Sequence, residues 1–193
     1  MATRLAGPET HFLPFNKGNQ GGAGNPENPT GCKTAYLWES IWQRDSWLDL
    51  IGRFLHLETA EKKLPDSKRE TSESLIFPRY HQVDAVRKLV ADARQSQVGK
   101  VGKNYLVWHS AGSGKSNSIA WLAHRLSSLH DVGNRKVFDA VIVITDRLVL
   151  DKQLAGHHRS VRAQAGRSHS LTLLAARRAK LAFKHYSFTQ IVN

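Results

Sequence analysis

Apolar residues recur along this chain with different spacings, and each spacing predicts a different element. Between Tyr36 and Leu57, Trp38, Ile41, Trp42, Leu48, Ile51, Phe54 and Leu55 stand near helical spacing. This predicts an amphipathic helix of about five turns, bent along its length, with Trp38, Trp42 and Trp47 as core or docking surface, or else as a base-stacking platform. Residues 58–74, ETAEKKLPDSKRETSES, are charged and aperiodic, so an exposed connection is expected there. Phe77-Pro78-Arg79 opens a second helix whose Val83, Val86, Leu89, Val90 and Ala93 share one face. Tyr105 to Trp108 and Asp139 to Thr145 are short, contiguous apolar runs, as expected of strands buried on both faces. A third helix, about Lys115 to Leu129, lies between them, and a short one from about Leu148 follows. Strand, helix, strand at this spacing predicts an α/β fold with a βαβ unit and a parallel sheet.

The polar segments punctuate this pattern. Residues 16–31 hold five glycines, four asparagines and two prolines, so they read as loop, either substrate-touching or a plain surface linker. The VGKVGK stretch before Tyr105 is turn-like. No internal repeat is visible. The 193 residues are enough for one ordinary domain, or one domain with a docked extension. The single Cys32 excludes an intramolecular disulfide framework and fits a reducing, cytoplasmic setting. No apolar run approaches membrane-helix length, so no membrane partner is expected.

Charge sharpens the picture. The net charge of +12 points to a polyanion such as nucleic acid, or simply to a basic protein. Residues 155–193 carry seven basic residues and no acid, which leaves +5 on residues 1–154. Over half of the excess thus lies in the last fifth of the chain.

The sharpest chemical signal is His109-Ser110-Ala111-Gly112-Ser113-Gly114-Lys115-Ser116. The general phosphate-loop pattern has glycine where this chain has His109; the rest, between a predicted strand and a predicted helix, is intact. Gly112 and Gly114 let the backbone turn tightly and aim N–H groups, with that of Ser113, at phosphate oxygens. The helix N-terminus adds partial positive charge. Lys115 would reach the β- and γ-phosphates of ATP, and Ser116 would hold Mg²⁺ through its hydroxyl. Asp146, closing the run Val141 to Ile144, is the local candidate for a second Mg²⁺ acid. Arg147 follows it where a hydrolytic ATPase usually has Glu, and the chain contains no Asp-Glu pair.

Taken together, Phe77-Pro78-Arg79-Tyr80-His81-Gln82, then Trp108 to Ser116, then Thr145-Asp146-Arg147 with Leu150 to Leu154, resemble motifs Q, I and Ia of the restriction (R) subunit of type I restriction-modification enzymes. That family is a superfamily-two helicase-like DNA translocase. The upstream stretch from His11 to Glu58 also resembles the family's segment between nuclease and motor. The resemblance implies a partial RecA-like lobe over residues 75–154, preceded by a helical, loop-rich connecting segment over 1–74. It implies that Gln82 contacts adenine and that Phe77 and Arg79 shape the same pocket. Thr145, Asp146 and Arg147 would face DNA, with a salt bridge from Arg147 to Asp151 as the alternative. The partners would be DNA and the modification and specificity subunits.

The family's nuclease carboxylates, its D-E-x-H motif and its second lobe are missing from these residues. No catalytic residue is therefore assigned, and the expectation is a truncated, ATP-binding chain with poor hydrolysis and no DNA cleavage. The resemblance stops after Leu154, where members continue with a stretch like T-I-x-Q-F-E-H. Residues 156–166 can be encoded by DNA that yields GTIDQFEHRQG when shifted one base. An out-of-frame tail is the first reading of 155–193; a basic DNA-binding arm is the second. The remaining alternatives for the whole chain are an independent P-loop ATPase or kinase using Asp146, and a basic DNA-binding module without catalysis.

Overall fold

The computed structural model describes residues 2–63, 69–95, 103–145 and 171–175. The chain divides into two units, Met1–Val83 and Asp84–Asn193.

The first unit is built on a four-stranded antiparallel sheet in the order β2-β1-β4-β3. Its strands are β1 (Ala2–Leu5), β2 (His11–Phe12), β3 (His56–Lys63) and β4 (Arg69–Ile76). The β3–β4 pairing runs in unbroken register from His56 opposite Ile76 to Lys63 opposite Arg69. The stretch expected to be an exposed connection is therefore mostly strand. The reason is that this ladder is held by backbone hydrogen bonds between polar segments, which leave no apolar alternation to read. At the end where His56 stands opposite Ile76, His56, Ser74 and Ile76 face the interior. Leu5, Leu75 and Leu57 stand side by side on the opposite face.

The long helix expected from Tyr36 to Leu57 is broken. A π-helical turn, Leu37–Ile41, is followed by α1, Arg44–Arg53, with Gln43 extended between them (φ −58°, ψ 143°). The Trp42 N–H reaches back five residues to the Leu37 carbonyl at 2.7 Å. This wider turn rotates the apolar stripe out of register. Trp38, Trp42, Leu48 and Ile51 consequently face solvent, and Ile41, Leu50 and Phe54 carry the burial.

The glycine- and asparagine-rich segment is irregular but tightly tied. Gln20 and Gly21 both have positive φ (48° and 80°), making a primed turn closed by the Gly22 N–H on the Asn19 carbonyl at 2.8 Å. Asn25 accepts from the Lys17 N–H at 2.8 Å and donates to Asn16 at 3.3 Å. The Tyr36 hydroxyl donates to the Phe15 carbonyl. Burial, and then the neighbouring Tyr80, push the Tyr36 phenol above its usual range. Phe15 packs edge-on to Tyr80 at 5.7 Å, and Tyr80 to Tyr36 at 5.5 Å.

α2, Tyr80–Gln95, buries Val83, Val86, Val90 and Ala93 as its spacing predicts. In the second unit, α3 spans Lys115–Ser127 and buries Trp121, Leu122 and Ala123. It packs on β5, Val141–Thr145, which pairs in parallel with β6, Leu171–Ala175. The expected strand at 105–108 is not one. This segment is extended, with Tyr105 and Val107 half-buried, but Leu106 and Trp108 are 68% and 88% exposed. An apolar run becomes a strand only when a partner supplies its ladder, and none does so among the described residues. A salt bridge of 3.0 Å from Lys103 to Asp92 holds the start of this segment against α2.

The fold is thus mixed α/β. Its four-stranded sheet is antiparallel, where a parallel sheet was expected, and parallel pairing is confined, among the described residues, to β5 and β6. Asp146, Arg147, the helix expected from Leu148, most of the VGKVGK turn and nearly all of the basic tail lie outside the described residues.

Candidate nucleotide-binding site

The site is local in sequence because its geometry is made by backbone. Ser110 to Gly114 form a tight turn, with the Ser113 N–H on the Ser110 carbonyl at 3.3 Å. Gly112 (φ 71°) and Gly114 (φ 78°, ψ 37°) lie in the left-handed region, which costs a side-chain-bearing residue about 1–2 kcal/mol. Both glycines are therefore required by conformation; a Cβ on Gly112 would touch nothing within 4 Å.

Gly114 caps α3, and its carbonyl accepts from the Asn117 and Ser118 N–H groups at 3.1 and 3.3 Å. The N–H groups of Lys115 and Ser116 then open outward from the helix end, where an anion is favoured. No acidic residue occurs from Lys103 to His130, so no carboxylate of this stretch competes for the position. The Lys115 ammonium donates to the His109 carbonyl at 3.1 Å. His109, at the position where the general pattern has glycine, thus holds the lysine through its backbone.

Ser116 stands at the second position of α3 and is half-buried. Magnesium bound with a nucleotide keeps most of its waters and takes one or two protein oxygens, so a single hydroxyl here fits the ion. Among the described residues no cluster of three or more His, Cys, Asp or Glu could hold a metal without a nucleotide.

Behind the turn, Val86, Val107, Lys115, Ser118 and Leu122 line a small apolar pocket. Ser118 is 6% exposed, and its hydroxyl finds no hydrogen-bond partner among the described residues. Sequence reasoning did not single it out, since a serine in a helix carries no signal of its burial. Ser118→Ala removes an unsatisfied hydroxyl and improves helix propensity, two effects of the same sign. It is expected to stabilise the second unit by about 1 kcal/mol, read as a higher urea midpoint.

The expected adenine-pocket residues Phe77, Arg79 and Gln82 lie in the first unit. Gln82 is only 3% exposed rather than a surface residue, and its Oε1 accepts from the Arg79 N–H at 2.7 Å. This is one half of a capping box at the start of α2. The sequence hint, a glutamine three residues into a helix, was legible but weak, because Arg79 is not a usual capping residue. Phe77 sits in the aromatic cluster, 6.2 Å from Phe15 and 6.1 Å from Trp47. Arg79 is half-buried, and its Nε finds no acceptor among the described residues. Thr145 ends β5 opposite Ala175 in the ladder.

Comparison with known proteins adds three findings. The family profile described as SWI2/SNF2 ATPase matches residues 81–189. The chain is similar to a protein of Methanocaldococcus jannaschii assigned as a type I restriction enzyme MjaVIIIP endonuclease subunit, 31% identical over 131 residues. That alignment takes in 67% of this chain and only 12% of the relative. No solved structure matches this chain. The profile match continues past Leu154, where the resemblance was expected to stop, and takes in Gln82, the phosphate turn, β5 and β6. Because it spans more than half of the residues, the chain belongs to the SWI2/SNF2 ATPase family.

Proposed function

We propose that this chain binds ATP and Mg²⁺ as part of the DNA-translocating motor of a type I restriction endonuclease R subunit. The observation that carries the nucleotide reading is the pair of left-handed glycines, Gly112 and Gly114, immediately ahead of α3. In this reading they let the N–H groups at the head of α3 face a phosphate group, with Lys115 beside it. In this reading Lys115 exchanges the His109 carbonyl for β- and γ-phosphate oxygens, and Ser116 gives its hydroxyl to Mg²⁺. Bound Mg²⁺ would neutralise the phosphate charge. Gln82 reads the adenine edge, with Phe77 and Arg79 around it.

The type I restriction part of the proposal is supported by the similarity to the Methanocaldococcus jannaschii protein. On that reading Thr145, Asp146 and Arg147 contact DNA, and the modification and specificity subunits are partners. The family match through most of residues 155–193 favours the basic segment as part of the domain over an out-of-frame tail. The chain has no Asp-Glu pair to activate water, so binding without appreciable turnover is the behaviour proposed for these residues alone.

Magnesium tests the assignment of Ser116. Binding of a non-hydrolysable ATP analogue is measured by equilibrium dialysis with Mg²⁺ and with EDTA. Mg²⁺ is expected to tighten binding about tenfold in the unaltered chain and to have little effect in Ser116→Ala. An unchanged Mg²⁺ effect in the variant would remove Ser116 from the metal's shell.

A further inference from the structure

His109 occupies the position where the general phosphate-loop pattern has glycine, and its backbone lies outside the left-handed region, so a side chain is accepted there. Its carbonyl accepts from the Lys115 ammonium at 3.1 Å. The residue is half-buried, its ring Nδ1 is shielded from solvent, and it lines the small pocket behind the turn together with Lys115. The other walls come from Ala85, Val86 and Leu89 of α2 and from Ser118 and Leu122 of α3. Among the described residues that line the pocket, Lys115 is thus the charged neighbour of the imidazole. Farther along α2, Asp84 and Asp92 are engaged by Lys88 and Lys103 at 2.7 and 3.0 Å.

Imidazole is the side chain whose charge changes between about pH 5 and 8. A like charge nearby opposes its protonation, and an anion favours it. Before nucleotide binds, a proton on His109 would face the Lys115 ammonium, and no carboxylate occurs from Lys103 to His130 to balance the pair. In the nucleotide complex the phosphates bring net negative charge against Lys115, across the same turn. The balance at the imidazole then reverses, because the anion draws on the lysine and on the ring together. A complex that holds more protons than its separate parts must form more tightly as the pH falls, by up to about tenfold per pH unit for one proton.

Resting on the reading of Lys115 as the phosphate lysine, we propose that His109 couples nucleotide binding to proton uptake, its imidazole gaining a proton as the phosphates arrive, so that affinity rises as the pH falls. His109 is a positioning and charge-balancing residue: its carbonyl holds Lys115, and its ring adjusts the positive charge behind the turn to the anion in front of it. The site thereby reads the pH through a side chain that the general pattern lacks.

The test is isothermal titration of the full chain with Mg²⁺-ATPγS, whose terminal thiophosphate stays ionised across the range, in PIPES and in imidazole buffers, which differ in their heat of ionisation. For the unaltered chain the binding heats are expected to differ between buffers by the amount that reports proton uptake, and the dissociation constant to fall about tenfold from about pH 8 to about pH 6. His109→Asn keeps the backbone carbonyl and cannot titrate; its affinity at about pH 8 should match that of the unaltered chain, with the proton uptake gone and the pH profile flat. Thermal unfolding is recorded for each variant, and His109→Gln replaces His109→Asn if the latter does not fold. Equal heats in the two buffers and a flat profile in the unaltered chain would overturn the proposal without any variant. Uptake that persists in a folded His109 variant would assign the proton to another group and overturn it as well. If Lys115→Ala weakens binding while His109→Asn keeps the uptake, the coupling fails and the phosphate reading stands. If Lys115→Ala binds as tightly as the unaltered chain at every pH, the phosphate reading fails and the coupling with it.

Discussion

Replacing Lys115 with alanine is expected to weaken binding of a non-hydrolysable ATP analogue about 100-fold or more, with thermal unfolding nearly unchanged. The size follows from charge-assisted hydrogen bonds to phosphate, each contributing roughly 1.5–3 kcal/mol, of which the lysine would make at least one to each of two phosphoryl groups. The silence in stability follows from what Lys115 touches now: one hydrogen bond, to the His109 carbonyl, from a half-buried side chain. That carbonyl lies on an irregular, partly exposed segment where water can take the place of the ammonium. Isothermal titration of both proteins, with unfolding curves alongside, measures the two effects separately. An affinity within threefold of the unaltered chain would show that this turn is not the phosphate site. The same loss accompanied by unfolding would mean that the lysine had been holding the turn together.

The second large effect concerns stability and separates two tryptophans. Trp121→Ala should cost the second unit about 3–5 kcal/mol, the usual range for deleting a buried aromatic side chain. Trp121 is 1% exposed in the middle of α3, two turns behind the phosphate turn. Its loss leaves a cavity directly under the helix that presents Lys115 and Ser116, so nucleotide binding should weaken with it. Trp108→Ala should change stability by no more than about 0.5 kcal/mol, since Trp108 is 88% exposed. Urea titration of the two variants provides the comparison. Equal destabilisation by both would mean that Trp108 is covered in solution, as the strand expected at 105–108 would require.

These two tryptophans also show where sequence reading succeeds and where it fails. Trp108 sits in an apolar run and reads as buried, while Trp121 was passed over inside a helix of mixed composition. The run does alternate, with Tyr105 and Val107 turned inward, but a strand is a property of two segments and the partner is not encoded in the run. The β3–β4 ladder fails in the other direction. Glu58 to Ser74 shows no apolar period, yet Glu58 to Lys63 pairs with Arg69 to Ser74 residue by residue, because antiparallel neighbours need only matching backbones. In α1 and the turn before it, the helical tendency was legible, but the π turn at Leu37–Ile41 shifted which side chains are covered. Leu50, fully buried, did not belong to the stripe that the spacing suggested.

By contrast, the conformation of the turn at 110–114 was readable almost completely. Glycine at 112 and 114, a lysine and a hydroxyl at the head of a helix define a backbone shape over eight contiguous residues, and local conformation is what sequence encodes best. The start and extent of α2 and α3 were equally legible, since their buried faces recur at helical spacing. Gln82 lies between these cases. Its place in the motif was visible, but its burial and its bond to the Arg79 N–H depend on how the chain folds around the start of α2.

The sequence by itself thus determined the glycine turn ahead of α3, the helices α2 and α3 and an ATPase family, because each is carried by contiguous residues. Only the tertiary structure decided the antiparallel sheet of the first unit, the exposure of Leu106 and Trp108, and the use of Gln82 as a cap. Each of these depends on a contact whose partner is chosen by competition among all segments of the chain, and no local spacing records the outcome of that competition.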